Sequence, residues 1–359
     1  MKRALSGQSA SLVKCMRPAF LQGQSIEHVD ESLMKCSGIE KRATVSCAEA
    51  HVCPPACACT DTTVDCRDRG LTHIPANLPS STTELRLEQN RITYVPPKAF
   101  QNLRNLKRLD LSRNWIIEVA PRAFQGLHSL NSLVLYGNNL TELPAEAFHG
   151  LGNLQLLLLN ANQLQCIRQG TFDPLTELNL LSLYDNQISN RGLMEVPSTI
   201  PQFATELYLN KNRISTISAD SGLRRLQNLV TLDLSSNNIM TIDEDSLTDM
   251  GSLRDLNLAN NQLYHFSSAA LGSNNILEIL SLSSNRLKCI SGSVFDGLKH
   301  LRTLKISGND LPCDCQLAPL LLWMKANASR KVEAGQCVRP QEMMGRSLEE
   351  IRIDDMSCA

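Results

Sequence analysis

An asparagine returns every 24 residues along the first part of this 359-residue chain, at Asn90, Asn114, Asn138, Asn162 and Asn186. The beat resumes at Asn212 and runs through Asn237, Asn261, Asn285 and Asn309, with one step of 25 followed by three of 24. Each asparagine closes a frame L-x-x-L-x-L-x-x-N, as in residues 106–114. Such a period constrains the fold strongly, because one unit of this length cannot bury its apolar face alone. Stacked units bury a continuous core, which moves the expected function from a pocket to an extended surface.

The frame is that of a leucine-rich repeat. Its ten copies predict an α/β leucine-rich repeat solenoid, a horseshoe of mostly parallel β-strand and loops with about ten repeats and disulfide-capped ends. In L-x-L the side chains alternate, so both leucines point into the core and their neighbours point onto the concave face. The ladder asparagine turns the chain out of the strand, and its amide can satisfy backbone groups that the bend leaves unpaired. Ten residues later comes a second spine, Phe100, Phe124, Phe148, Phe172 and Phe295, with Leu247 and Leu271 in the same place, expected to fill the convex side. Cys166 and Cys289 each lie four residues past a ladder asparagine. A reactive thiol is conceivable there, but equal placement in two repeats favours small apolar packing residues.

Thirteen cysteines speak to compartment. Cys53, Cys57, Cys59 and Cys66 form C-x3-C-x-C-x6-C just before the first repeat, and Cys313, Cys315, Cys337 and Cys358 follow the last one. Open solenoid ends would expose the leucine core, so they need caps, and small caps need covalent staples. Zinc is the competing reading of the C-x-C pairs; placement at both ends of a repeat array, with no histidine at ligand spacing, favours disulfides. An oxidising, extracellular setting follows, and the sequons at Asn139 and Asn327 agree with it. The net charge of −1 gives no reason to expect nucleic acid as a partner. No apolar run approaches the roughly 20 residues of a membrane span. No catalytic motif stands out, the seven histidines show no triad or ligand spacing, and neither enzyme activity, metal nor cofactor is expected. Residues 1–20 carry basic residues without the apolar core of a secretory leader, so the chain is expected to be a fragment or a misassembled reading of its gene.

Internal duplications suggest how the chain is put together. The 20 residues between Cys15 and Cys36 match the 20 between Cys337 and Cys358, including Cys-Met-Arg-Pro against Cys-Val-Arg-Pro. Residues 15–36 therefore resemble half of a C-terminal cap whose array lies upstream, which leaves Cys15 and Cys36 to pair with each other, with Cys47, or not at all. Residues 69–87 align without gaps to 191–209, the tail of a second N-terminal cap that lacks its cysteines. The expected organisation is a partial cap and linker at 1–52, a cysteine-rich N-terminal cap at 53–80, a first array at 81–188, a second array at 189–310 and a cysteine-rich C-terminal cap at 311–359. The 26-residue step from Asn186 to Asn212 is near enough to the period for the strands to stack through, in one arc with a local bulge near residues 188–203.

Ten strands at about 4.8 Å spacing give roughly a 45–50 Å arc, wide enough for a small domain. Along the first array its outward residues run from Glu84, Arg86, Glu88 and Arg108, through Ser132, Val134 and Tyr136, to Leu156, Leu158, Leu180 and Tyr184. Exposed apolar side chains beside tyrosine and arginine mark a partner surface better than a merely solvated face. Residues 83–90 (TELRLEQN), 130–138 (LNSLVLYGN), 154–162 (LQLLLLNAN) and 178–186 (LNLLSLYDN) resemble the second leucine-rich array of the Slit family, secreted axon-guidance proteins with four such arrays in tandem. The resemblance covers residues 15–359, with 15–36 similar to the end of a preceding cap, 53–188 to the second array, and 190–358 to a later array, the third more than the fourth.

That resemblance implies a secreted ligand whose concave face binds the first immunoglobulin domain of Roundabout receptors, with heparan sulfate as a co-ligand. Carried onto matching positions, Glu84, Arg86 and Arg108 are the polar contacts, and Tyr136, Leu158 and Tyr184 the apolar ones. It also implies first-to-third and second-to-fourth pairing in each cap: Cys53–Cys59, Cys57–Cys66, Cys313–Cys337 and Cys315–Cys358. Trp323 is expected to pack inward on the terminal cap's helix, and Pro319 stands where Slit-like caps carry a tryptophan, which predicts a late helix start. The alternative is an extracellular matrix or adhesive leucine-rich repeat protein that meets a different partner through Tyr208, Asp233, Asn257, Ser281 and Lys305 of the second array.

Overall fold

The computed structural model describes residues 53–188, 200–272, 276–290 and 292–356. Strands β1 (Ala58–Thr60) and β2 (Thr63–Asp65) open the unit as an antiparallel pair. The first repeats supply β3 (Glu84–Arg86), β4 (Tyr94–Val95), β5 (Arg108–Asp110), β6 (Glu118–Val119), β7 (Ser132–Val134), β8 (Leu156–Leu158) and β9 (Leu180–Ser182). The later ones supply β10 (Glu206–Tyr208), β11 (Thr216–Ile217), β12 (Thr231–Asp233), β13 (Thr241–Ile242), β14 (Asp255–Asn257), β15 (Ile279–Ser281) and β16 (Thr303–Lys305). Helix α1 (Ala318–Ala326) and strand β17 (Lys331–Glu333) close the far end.

One 13-stranded sheet runs β1-β2-β3-β5-β7-β8-β9-β10-β12-β14-β15-β16-β17, parallel from β2 onward. The ten L-x-L segments all lie in it, so the sheet is the leucine frame made visible. Each central leucine pairs with its counterpart in the next rung and is buried, as Leu109 is with Leu133 and Leu133 with Leu157. The sheet crosses from the first array to the second directly, with Leu181 opposite Leu207. The bulge expected near 188–203 falls largely on residues 189–199, outside the described residues.

The asparagine ladder explains why the rungs stay in step. Asn138 accepts a hydrogen bond from the Ile116 N–H at 3.0 Å and donates to the Leu111 and Leu135 carbonyls at 3.1 and 2.9 Å. One buried amide thus clamps its own turn and the preceding rung, and satisfies three backbone groups that water cannot reach. The same three bonds recur at Asn261. They also recur at Asn212, which accepts from the Ile188 N–H at 3.1 Å and donates to the Leu183 carbonyl at 3.0 Å, so the ladder spans the junction unbroken. The residue before the asparagine takes a left-handed backbone, from Gln89 (φ 60°) and Arg113 (φ 51°) to Gly308 (φ 70°), which turns the chain sharply enough to seat the amide.

Opposite the sheet, Phe100, Phe124, Phe148 and Phe172 stack at centroid distances of 6.1, 6.2 and 5.9 Å, all buried. Leu247 and Leu271 hold the corresponding place in the later repeats, and Phe295 meets Trp323 of α1 at 5.1 Å. Disulfides Cys53–Cys59 and Cys57–Cys66 staple the first rung, where Val64 and Cys66 close the core. Cys313–Cys337 ties the last repeat's exit to the segment after β17. The side chain of Cys315, and Cys358, Cys15, Cys36 and Cys47, lie outside the described residues.

Two sequence expectations need correction. Cys289 is exposed and Cys166 half-buried, so neither is a core residue. Each directly precedes a buried isoleucine, Ile167 or Ile290, which takes the core place in its rung. Helix α1 begins at Ala318 and does not start late. Pro319 sits in its first turn, where a missing N–H costs no intrahelical bond.

Candidate interaction surface

Three outward positions per rung line the sheet in three continuous rows, set by the pairing register. The first row runs Glu84, Arg108, Ser132, Leu156 and Leu180; the second runs Arg86, Asp110, Val134, Leu158 and Ser182. Two residues further along each strand lie Glu88, Ser112, Tyr136, Asn160 and Tyr184. Glu84, Arg86, Arg108, Tyr136, Leu158 and Tyr184 therefore occupy one face of five neighbouring rungs, a strip about 19 Å across at the spacing of β-strands.

Burial and charge divide that strip. Arg86 donates to Glu84 at 2.8 Å and approaches Asp65 at 3.8 Å, while Arg67 binds Asp65 at 2.7 Å and Glu88 at 3.4 Å. The charged end is thus internally neutralised, and Arg67 holds the Asp65 carboxyl below its usual range. Burial does the opposite to Glu88, pushing its carboxyl up, with Asp110 adding to the effect. Arg108 is exposed. The apolar end, Val134, Leu156, Leu158, Leu180, Tyr136 and Tyr184, is half-buried by its own neighbours. Within the same rows Asn160 and Ser182 are buried between these neighbours, and the Ser182 hydroxyl donates to Asn160 Oδ1 at 3.3 Å.

The face changes character beyond the junction. Tyr208 donates to Glu206 at 2.8 Å, and burial pushes its phenol up to about 12, so it remains a neutral donor. Asp255 is raised by burial and then by Asp233 beside it. Asn257, Ser281 and Lys305 follow in the same row. Among the described residues no cluster of histidine, cysteine and carboxylate side chains is arranged to hold a metal ion, and no helix is long and apolar enough to cross a membrane.

The two sequons differ. Asn139 is exposed. Asn327 caps α1, its Nδ2 donating to the Trp323 carbonyl at 2.9 Å. Sequence reasoning passed over Trp115, 55% exposed, and Ile117, 59% exposed, on the lip where the sheet turns into the loops. The signal was available: the residue after the ladder asparagine is polar or charged in every other rung, from Arg91 and Asn139 to Gln262 and Asp310.

Residues 80–140, 128–188, 204–263 and 256–311 match the family described as leucine rich repeat, and 52–79 match its N-terminal domain. The chain belongs to the leucine-rich repeat family. Over 63 residues it is 48% identical to leucine-rich repeat-containing protein 3 of Mus musculus, a match covering 16% of this chain and 24% of that protein. Over 64 residues it is 45% identical to the platelet glycoprotein Ib beta chain of Rattus norvegicus, covering 17% and 31%. The chain therefore spans only about a quarter to a third of these leucine-rich repeat relatives. Among solved structures it is similar to a chain from an octameric complex of Latrophilin 3 (Lec, Olf), Unc5D (Ig, Ig2, TSP1) and FLRT2 (LRR), at 26% identity and a TM-score of 0.70, over 86% of this chain and 100% of that one. These matches are to repeat proteins, and none indicates an enzyme family.

Proposed function

We propose that this chain is an extracellular protein-recognition module that docks a folded domain on the β3–β9 part of its sheet face. The observation that carries this reading is the apolar patch around Leu158 with its two tyrosines, continuous with arginine-bearing rungs on the same face. A leucine-rich repeat needs leucine only inside, so apolar side chains in the outward rows serve something other than the fold. Five rungs can offer about 800 Å², the share one partner contributes to a standard interface.

Further support comes from two directions. The bonded cysteines fit an oxidising compartment. The similar chain from the FLRT2 complex sits in an assembly that includes immunoglobulin modules. With the Slit resemblance, the partner is a Roundabout-type immunoglobulin domain, and the molecule a Slit-like secreted ligand for which heparan sulfate acts as co-ligand. In this reading Tyr136, Leu158 and Tyr184 are the anchors. Arg86 contributes less than Arg108, because Glu84 already holds it.

Tyr136→Ala and Tyr184→Ala should each weaken binding to a Roundabout ectodomain by about tenfold or more while leaving the melting temperature unchanged. Unaltered affinity in both variants would remove the proposal. A matrix-type or adhesive role with a different partner is favoured if only the Tyr208–Lys305 half of the face responds to substitution; its distinct acidic character supports that second reading.

A further inference from the structure

The lip beside the apolar patch carries groups that the sheet face does not explain. The Arg113 guanidinium lies 5.7 Å over the Tyr136 ring, and the Arg91 guanidinium 5.8 Å over the Trp115 ring. Arg113, Trp115 and Arg91 line a shallow depression of about 490 Å³, with Asp68 and Gly70 at its far side. Tyr136 belongs to the sheet face and Trp115 to the loops, so Arg113 joins the two surfaces. An indole and an isoleucine exposed to this degree contribute little to the core, and three rungs of the ladder nearby do without them.

Resting on the proposed sheet-face docking, we propose that this lip is a second part of the same docking surface, taking a carboxylate-bearing loop of the protein domain held on the face. A guanidinium held over the face of a ring makes no hydrogen bond to it, so its N–H donors stay available to a carboxylate. Two such cations against the single Asp68 leave the depression net positive. The indole supplies an apolar surface in the depression that a loop side chain can cover, and Ile117, also exposed, lies two residues further along the chain. A sulfated polysaccharide fits less well: the row that begins Arg91, Trp115 continues Asn139, Gln163, Gln187, with no run of cations for an extended polyanion.

The experiment measures affinity for the first immunoglobulin domain of a Roundabout receptor, in an N139Q background so that no sugar crowds Trp115 from the next rung. Trp115→Ala and Arg91→Glu should each lower affinity roughly tenfold, the latter with a weakened salt dependence, and both with unchanged melting temperature. Should Trp115→Ala prove unstable, Arg91→Glu at an exposed side chain carries the test alone. Loss on Tyr184→Ala with no effect of either lip variant overturns the lip proposal and leaves the sheet-face reading standing. No effect of any of the three overturns both. Binding of a sulfated oligosaccharide that Arg91→Glu abolishes, without loss of protein affinity, reassigns the lip to glycan and overturns the proposal.

Discussion

Strands β5 to β9 put Arg108, Val134, Leu156, Leu158 and Leu180 on the sheet face; β12 to β16 put Asp233, Asp255, Asn257, Ser281 and Lys305 at the same register positions. Beneath both halves the inward leucines are buried and the asparagines make the same three bonds. The opposite side differs too, with four stacked phenylalanines in the first half and Leu247, Leu271 and Phe295 in the second. Two pieces of unlike surface can therefore share one sheet, because register depends on the leucines and the ladder, and recognition depends on side chains that neither requires.

The spine offers the largest test of how alike the two halves are inside. Phe124→Ala should cost about 3–5 kcal/mol, a large-to-small change at a site that relaxes little. Leu247→Ala should cost less, because Phe124 also loses two ring contacts at about 0.5–1.5 kcal/mol each. Urea midpoints of the two variants measure the gap. Equal midpoints would show that the stacked rings add nothing beyond burial, and the contrast between the spines would be one of composition alone.

The ladder makes the opposite prediction, that the halves are interchangeable. Asn138→Ala and Asn261→Ala each strand one buried N–H and take one of two donors from each of two carbonyls, which keep the amide of the neighbouring ladder asparagine, a loss of about 1–3 kcal/mol. The two variants should agree within about 0.5 kcal/mol, the scatter expected of independent equivalent sites. A much smaller loss at Asn261 would mean that the second half is held in register by something other than its amides.

Titration separates the faces more gently. Asp255 has a raised carboxyl, so the folded state binds its proton more tightly than the unfolded chain does. Its contribution is present below the unfolded value of 3.8 and is lost as the pH climbs through the folded one. Asp255→Asn should therefore gain on the parent chain toward neutral pH and match it in acid. Asp65, lowered by Arg67, has the reverse sign: its contribution is present above the unfolded value and fades on acidification through the folded one. Asp65→Asn should lose stability at neutral pH and converge with the parent in acid, and paired melting curves of both variants across the acid range check the crossing signs.

Much of this was legible in the chain because period fixes it. Ladder asparagines, inward leucines and the phenylalanine spine recur at set intervals, and position in the interval dictates environment. What escaped was set by single departures from the repeat. Trp115 occupies a place that is polar in the other rungs, and a repeat-based reading averages such a residue away. The internal pairing of Arg86 with Glu84 escaped for a different reason: outward residues two apart on one strand share a face, and which partner each charge takes is set by side-chain geometry that the sequence does not carry. Pro319 misled because its cost depends on which helical turn it enters.

The cysteines give the smallest effect and the sharpest comparison of equivalent places. Cys166 and Cys289 sit four residues past Asn162 and Asn285, yet the first is half-buried and the second exposed. Neither fills the core, which Ile167 and Ile290 do one residue later. Alkylation of the folded chain, followed by peptide mass mapping, should modify Cys289 faster than Cys166, because the thiolate reacts only as far as reagent can reach it. Cys166→Ser and Cys289→Ser should both leave the unfolding free energy within about 0.5 kcal/mol of the parent's, as surface changes do. Substantial destabilisation by Cys166→Ser alone would show that the first half draws this rung's outward residue into its packing where the second half does not.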